Sequence, residues 1–207
     1  MPIVKQHAHE IVNADERQRP RDFSGLAAEL LDANPTARRW AARDLVEFPE
    51  AGKALVGRLK CEDDPSVREA LLTTLTRLGD PATMAGLVDC LHSEDAALRN
   101  EVMEAMKQLP EQVAPLMDGL LTDPDKDVRI FAVNILESLC HPQVEAWLAG
   151  VIEQDSSVNV CATAVDLLSE VGTQASRSAL ELLKARFPGE PYICFAADLA
   201  LKRINEK

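Results

Sequence analysis

The stretch DPSVREALLTTL at residues 64–75 decides the fold, because its central motif returns at a nearly constant interval. An apolar residue followed by arginine occurs in four places, at Ala37-Arg38, Val67-Arg68, Leu98-Arg99 and Val128-Arg129. These pairs lie 30, 31 and 30 residues apart, and Val158-Asn159 follows 30 residues later with the arginine replaced. A fixed period of this length indicates a stack of similar supersecondary units rather than one globular core.

Each unit has the pattern of two helices. Residues that can cap a first helix through hydrogen bonds to its free amides stand at Asn34, Asp64, Glu94-Asp95, Asp125 and Asp155-Ser156. Apolar residues follow each anchor at the spacing of one helical face, as in Phe131, Ala132, Ile135, Leu136 and Leu139 after Val128. A proline or glycine then ends the helix. A shorter apolar helix completes the unit, marked by Leu55/Leu59, Leu87/Leu91, Leu116/Leu120, Leu148/Ile152 and Leu180/Leu183.

The pattern predicts an all-α protein of about 11 helices. Ser24 is expected to cap a lone first helix that runs to Ala33. Helix pairs fall near residues 36–60, 65–91, 96–121, 126–153 and 156–186, and a last helix at 191–204 caps the stack. Residues 1–23 are polar and mixed in charge, so we expect a flexible tail ahead of a single repeat domain at residues 24–207.

The unit, written D-x-x-V-R-x-x-A-L, then a Pro/Gly turn, then L-x-x-x-L, resembles the short HEAT-like repeats of the phycobilisome-lyase type over residues 34–204. This resemblance implies a right-handed superhelix of helix pairs, with second helices on the concave face and first helices on the convex face. It also implies that the arginine after each anchor is structural and reaches acids and carbonyls of neighbouring units. That role would fall to Arg38, Arg68, Arg99 and Arg129.

The fifth unit departs from the pattern. Asn159 stands in place of the arginine, and Asp166 and Ser169 stand where leucine-type residues are expected. Either the register of this helix slips, so that it buries Leu167, Leu168 and Val171, or its face is polar for a functional reason. We favour the slip, because helix boundaries are the least certain part of a sequence-based assignment.

Composition narrows the range of functions. The net charge of −12 argues against nucleic acid as the main partner. The charge is also unevenly distributed along the chain. Residues 34–60 hold six bases against three acids, and residues 61–207 hold 12 bases against 25 acids. Five scattered cysteines predict buried fillers in a reducing compartment rather than a disulfide framework. No apolar run reaches membrane length, so we expect a cytoplasmic protein without a membrane span.

No catalytic constellation stands out. His7 and His9 with Glu10 could bind a metal, but they lie in the predicted tail, and His92 and His141 fit structural roles at helix ends and turns. Iron-dependent HEAT-like hydroxylases repeat His-Glu pairs across their units, but here Ser93 follows His92 and Pro142 follows His141. HEAT-like DNA glycosylases need a basic groove with aromatics, which two tryptophans, one tyrosine and a net charge of −12 do not favour. No metal or cofactor is therefore expected. The bilin lyases share the repeat and remain the enzyme alternative. They attach a linear tetrapyrrole to a cysteine of another protein, which calls for an apolar and acidic groove.

The partner site is predicted on the second helices. Large side chains next to the inward leucines would be exposed anchors, and the residues that fit are Val88, Met117 and Trp147, ringed by Asp89, Asp118 and Glu145. Trp147 could equally fill a gap between units, and Trp40 is expected in the core. The main hypothesis is a non-catalytic scaffold that binds another protein, one with a basic segment, on its concave surface. The oligomeric state stays open.

Overall fold

The computed structural model describes residues 21–206, and every regular element in that range is helical. The helices in chain order are α1 (Phe23–Glu29), α2 (Pro35–Asp44), α3 (Gly52–Leu59), α4 (Pro65–Leu78), α5 (Pro81–Cys90), α6 (Ala96–Met106), α7 (Pro110–Val113), α8 (Met117–Leu121), α9 (Lys126–Leu136), α10 (Val144–Gln154), α11 (Val158–Val171), α12 (Arg177–Arg186) and α13 (Pro191–Glu206). The sequence predicted about 11. Part of the difference arises because α7 and α8 are two halves of one predicted second helix.

The helices form two layers. The first helices α2, α4, α6, α9, α11 and α13 pack each on the next, and the second helices α3, α5, α7 with α8, α10 and α12 form the layer beside them. Leucine, alanine and valine side chains fill one continuous core along the stack. Since each unit packs mainly on its neighbours, stability accumulates from one interface to the next. The predicted all-α repeat architecture is confirmed.

The first helices begin where the sequence places their caps. The side chains of Asn34, Asp64, Asp95 and Asp125 accept hydrogen bonds from backbone amides two or three residues ahead. Each cap satisfies donors that an isolated helix end leaves free, which is worth about 1 kcal/mol. The anchor residue lies three positions after each cap, so the cap fixes which face of the helix is buried.

The start of the described region differs from the prediction. Asp22, not Ser24, caps α1 by accepting a hydrogen bond from the Gly25 amide at 2.8 Å, and α1 ends at Glu29 rather than Ala33. Arg21 forms ion pairs with Glu29 and Asp44. The folded region therefore includes residues that the sequence assigned to the tail. The remaining predictions for the tail, including a metal at His7 and His9, concern residues outside the described range.

The second helix of the third unit is interrupted. A 3₁₀ turn at Ala114–Leu116 separates α7 from α8, and Pro115 lies at its centre. Proline has no backbone N–H to donate and its ring clashes with the preceding turn, so a continuous helix is disfavoured there. The break shifts the buried face by one residue relative to the sequence alignment.

The register of the fifth unit slips, although not onto all the predicted residues. Val158 is only half-buried, and the buried face consists of Val160, Cys161, Ala164, Val165 and Leu168. Ser157 lies at the cap position, so Val160 is three residues after the cap and occupies the place of the anchor. Leu168 is buried as expected, whereas Val171 is 41% exposed because the slip turns it away from the core.

None of the helices within residues 21–206 combines the length and the apolar character that crossing a bilayer requires.

Candidate partner-binding face of the second helices

The repeat arginines tie each unit to the loop before it. Each donates to the carbonyl six residues upstream: Arg38 to Asp32 at 2.9 Å, Arg68 to Glu62 at 2.7 Å, Arg99 to Ser93 at 2.6 Å and Arg129 to Asp123 at 2.8 Å. Three of them also pair with an acid of the next unit, as Arg38 with Glu62, Arg68 with Asp95 and Arg129 with Asp155. Arg99 differs, because its guanidinium lies 6.0 Å from the Phe131 ring centroid and its Nε is buried without a partner.

Cys161 takes the arginine's place in the fifth unit. Its thiol donates to the carbonyl of Asp155, again six residues upstream, at 3.4 Å. Arg186 from the end of α12 supplies the missing guanidinium, since it donates to the same carbonyl at 2.6 Å and to that of Ile152. The 30-residue spacing predicts Asn159 at this position, but α11 begins after Ser157, so the position falls to Cys161.

Glu62 is a buried acid that lies between two arginines. It is 1% exposed and receives hydrogen bonds from Arg38 at 2.7 Å and Arg58 at 2.8 Å. Burial alone would raise the pKa of Glu62, but the two guanidinium groups outweigh burial and lower it to about 2. Lys60 pairs with Asp89 in addition. Three of the six basic residues counted in the first unit, Arg38, Arg58 and Lys60, are therefore paired with acids of the same chain.

Met117 is not an exposed anchor, which corrects the prediction. Its side chain is fully buried. Val113, Met117, Leu120 and Leu121 occupy the places that Val144, Leu148, Val151 and Ile152 occupy 31 residues later. Met117 therefore corresponds to the inward Leu148, and the alignment of Leu116 with Leu148 was off by one residue because of the break at Pro115.

The other predicted partner residues lie in the second-helix layer with mixed exposure. Val88 is half-buried and packs against the core, and Asp89 is exposed but paired with Lys60. Glu145 is held by the Thr173 amide at 2.7 Å and the Ser176 hydroxyl at 2.5 Å. Burial favours a raised pKa for Glu145, and these hydrogen bonds overcome it, so that the pKa is lowered. Glu145 thus joins two units rather than ringing a groove.

Trp147 has a well-defined position on this layer. It is half-buried, and its indole N–H donates to the Asp118 carboxylate at 2.7 Å. One face of the indole stacks on the His141 ring, with the centroids 5.0 Å apart and the planes 18° from parallel. Such offset aromatic pairs, together with a charge-assisted hydrogen bond, hold a ring in one orientation. Asp118 and Trp147 are the two predicted residues that the structure brings into contact.

Two clefts lie on either side of this stacked pair. The first, which we call the Trp147 cleft, has a volume of about 540 Å³ and lies between α8 and α10. It is lined by residues that include Asp118, Leu121, Asp123, Arg129, Trp147, Gly150, Val151 and Asp155. The second, the Cys140 cleft, has a volume of about 620 Å³ and is lined by Pro110, Glu111, Ala114, Pro115, Ser138, Leu139, Cys140, His141 and Gln143. Sequence reasoning found Trp147 and Asp118 but missed both cavities.

The chemistry that these residues offer is recognition. Within residues 21–206 no group of three or more histidine, cysteine and acidic side chains is arranged to hold a metal ion. Cys140 is exposed, while Cys90 and Cys161 are buried, and burial raises the pKa of both buried thiols. Both clefts fall within the range of about 300–1,000 Å³ that is typical of small-molecule sites.

Comparison with known proteins agrees with this architecture. Residues 23–107 and 113–193 match the family model for HEAT repeats. The chain is 30% identical over 173 residues to the bilin biosynthesis protein PecE of Mastigocladus laminosus, covering 82% of this chain and 61% of that protein. It is 35% identical over 96 residues to PecE of Nostoc sp. PCC 7120, covering 42% of this chain and 38% of that protein. The chain therefore spans less than two thirds of either relative.

A solved structure shows the same fold. The archaeal HEAT-like repeat protein of Thermococcus onnurineus NA1 superposes with a TM-score of 0.51 at 16% identity, over 87% of this chain and 86% of that one.

Proposed function

The chain belongs to the HEAT-repeat family, and from that premise we propose that it is an assembly protein for bilin attachment. In this proposal it holds an acceptor protein and a linear tetrapyrrole while the tetrapyrrole is joined to a cysteine of the acceptor. The observation that carries the proposal is the 30% identity to a bilin biosynthesis protein over 82% of this chain. This similarity favours the lyase-type alternative over the general scaffold that the sequence analysis preferred.

The second-helix layer supports the binding role. A stacked helical repeat presents a preformed surface, so binding a partner does not carry the entropy cost of ordering that surface. Two clefts open side by side on this surface, separated by the His141–Trp147 pair. A chromophore bound in one and a protein side chain bound in the other would lie next to each other. Proximity of this kind lowers the barrier of a bimolecular step without any catalytic group.

The Cys140 cleft suits the tetrapyrrole better. Its lining includes the apolar side chains of Pro110, Ala114, Pro115 and Leu139, and Glu111 is its one acidic residue. A linear tetrapyrrole is a large, flat, apolar molecule that carries two carboxylates. We therefore propose an apolar cleft with few acids for it, in place of the apolar and acidic groove expected in the sequence analysis. The Trp147 cleft has three aspartates and is the less favourable of the two for such an anion.

Co-expression tests the proposal. The full chain is produced together with tetrapyrrole synthesis and a bilin-accepting protein, and covalent chromophore is measured on the denatured acceptor by absorbance and mass spectrometry. We expect attachment that depends on this chain. An unmodified acceptor, at normal levels of both proteins and free tetrapyrrole, would overturn the proposal.

Matched variants locate the chromophore. Gln143 is exposed and lines the Cys140 cleft, whereas Gln112 is exposed and lines neither cleft. Gln143→Trp should reduce attachment by narrowing the cleft, and Gln112→Trp should leave it unchanged. Cys140→Ser should still support attachment, because the acceptor supplies the thiol. If chromophore is found bonded to Cys140 and never on the acceptor, the assembly role is wrong.

A further inference from the structure

We propose that the Trp147 cleft is a recognition site for an arginine side chain of the partner protein. This adds a specificity site to the proposed function and rests on it only for the statement that the partner is a protein. The indole lines the Trp147 cleft and His141 lines the Cys140 cleft, so the stacked pair forms the wall between them. His141 does not line the Trp147 cleft, so we infer that the indole borders this cleft with the face that His141 leaves uncovered.

The charges of the cleft do not cancel. Arg129 is its one basic residue, and Asp155 binds that guanidinium through both oxygens, at 2.6 and 3.0 Å. Asp118 accepts only the neutral indole N–H of Trp147 and forms no ion pair with any residue from 21 to 206. Asp123 interacts with His92 at 3.2 Å, a contact that is an ion pair only when the imidazole is protonated. At least one full negative charge, that of Asp118, therefore stays uncompensated beside the indole.

Space for a side chain exists between these groups. Gly150 lines the cleft, and a Cβ placed there would meet no atom within 4 Å. No neighbouring side chain fills the space next to Gly150, so that part of the cleft is open to a ligand. Leu121 and Val151 provide apolar walls, so the aliphatic part of a long side chain would be covered as well.

Arginine matches this combination. Its planar guanidinium stacks on an aromatic face and donates paired hydrogen bonds to a carboxylate. Here the face is that of Trp147 and the carboxylate is that of Asp118, whose position beside the ring is fixed by the indole N–H. Lysine would satisfy the charge but not the stacking geometry. A carboxylate ligand would meet the three aspartates that line the cleft.

The test follows the indole N–H signals by nuclear magnetic resonance. The chain has two tryptophans, so ¹⁵N-labelled protein gives two indole signals, and Trp40→Phe assigns them. We expect the peptide Ac-GSGRGSG-amide to shift the Trp147 signal and to leave that of Trp40 in place. Replacing its arginine with citrulline, which has the same shape without the charge, should weaken the response about tenfold or more.

Two variants with the same change in net charge separate the site from the general field of an acidic protein. Asp118→Asn should weaken the peptide response about tenfold. Asp63→Asn, at an exposed position outside the cleft, should leave it within about twofold. Equal loss in both variants would mean non-specific attraction and would overturn the proposal. So would a Trp147 signal that responds to free biliverdin and not to the arginine peptide.

Discussion

Removing the carboxylate of Glu62 tests the charge network of the first interface. Glu62 is buried between Arg38 and Arg58, and their hydrogen bonds lower its pKa from 4.5 to about 2 against the opposing effect of burial. This lowering corresponds to about 3 kcal/mol of stability at neutral pH. We expect Glu62→Gln to reduce the free energy of unfolding by about 3–5 kcal/mol at pH 6, since two guanidinium groups lose their counter-charge.

The pH dependence distinguishes this explanation from a loss of packing. A lowered folded-state pKa stabilises the protein above the unfolded value of about 4.5, and the contribution is lost as the pH falls through about 2. At pH 3 the wild-type chain should already have lost about 2 kcal/mol of it. The glutamine variant does not titrate at residue 62, so the gap between the two proteins should narrow by that amount.

Urea unfolding followed by circular dichroism at pH 6 and pH 3 measures the gap. Asp63→Asn is the control, because Asp63 is exposed and adjacent in sequence, and the change should stay within about 0.5 kcal/mol at both pH values. A gap between wild type and Glu62→Gln that is the same at pH 6 and pH 3 would refute the electrostatic account of this interface.

Three further predictions concern glycines, the arginine at the end of α12 and thiols. Gly150→Ala should raise the free energy of unfolding by up to about 1 kcal/mol, and with it the urea midpoint, because its methyl meets open space and alanine favours helix. Gly86→Ala should lower the midpoint, because its Cβ would lie 2.6 Å from a valine of the neighbouring second helix. Arg186→Met should cost about 1–3 kcal/mol in thermal unfolding, and Arg177→Met, on an exposed helix face, less than about 0.5. A thiol reagent at pH 8 should modify the exposed cysteines before unfolding and the buried ones only with it, in the order Cys61 and Cys140, then Cys90 and Cys161.

The repeat fold was predictable because its signals are local and recur. A cap such as Asp64 fixes where a helix starts, and an anchor such as Val67, three residues on, fixes which face is buried. The sequence also carries the arginine positions, although the acid that each one meets depends on packing between units. Arg99 illustrates this dependence, since it lies over Phe131 while Asp123, in the next inter-unit loop, interacts with His92.

The errors came from counting residues instead of following caps. The 30-residue spacing pointed to Asn159, but α11 begins one residue after Ser157, and its buried face starts at Val160 and Cys161. In the third unit, the leucine pattern placed Met117 outside, but the turn at Pro115 rotates α8 by one residue and buries it. Both errors have one cause, because the chain keeps its helix caps and buried faces while the length between them varies.

The candidate site lies where the repeat is least regular, and packing explains why. Identical units would close the space between neighbouring second helices with equivalent side chains. Here Pro115 divides one second helix, and Trp147 places a large ring where most other units have small residues. Gly150 leaves open space beside the ring, as Gly57 and Gly119 do at the same position of their own second helices. These changes leave clefts on both sides of the His141–Trp147 pair while the leucines beneath stay buried. A repeat protein can gain a binding site in this way because stability depends on the inward faces and recognition on the outward ones. Outward departures from the repeat, such as Pro115 and Trp147, are therefore better guides to function in this chain than the motif that defines the fold.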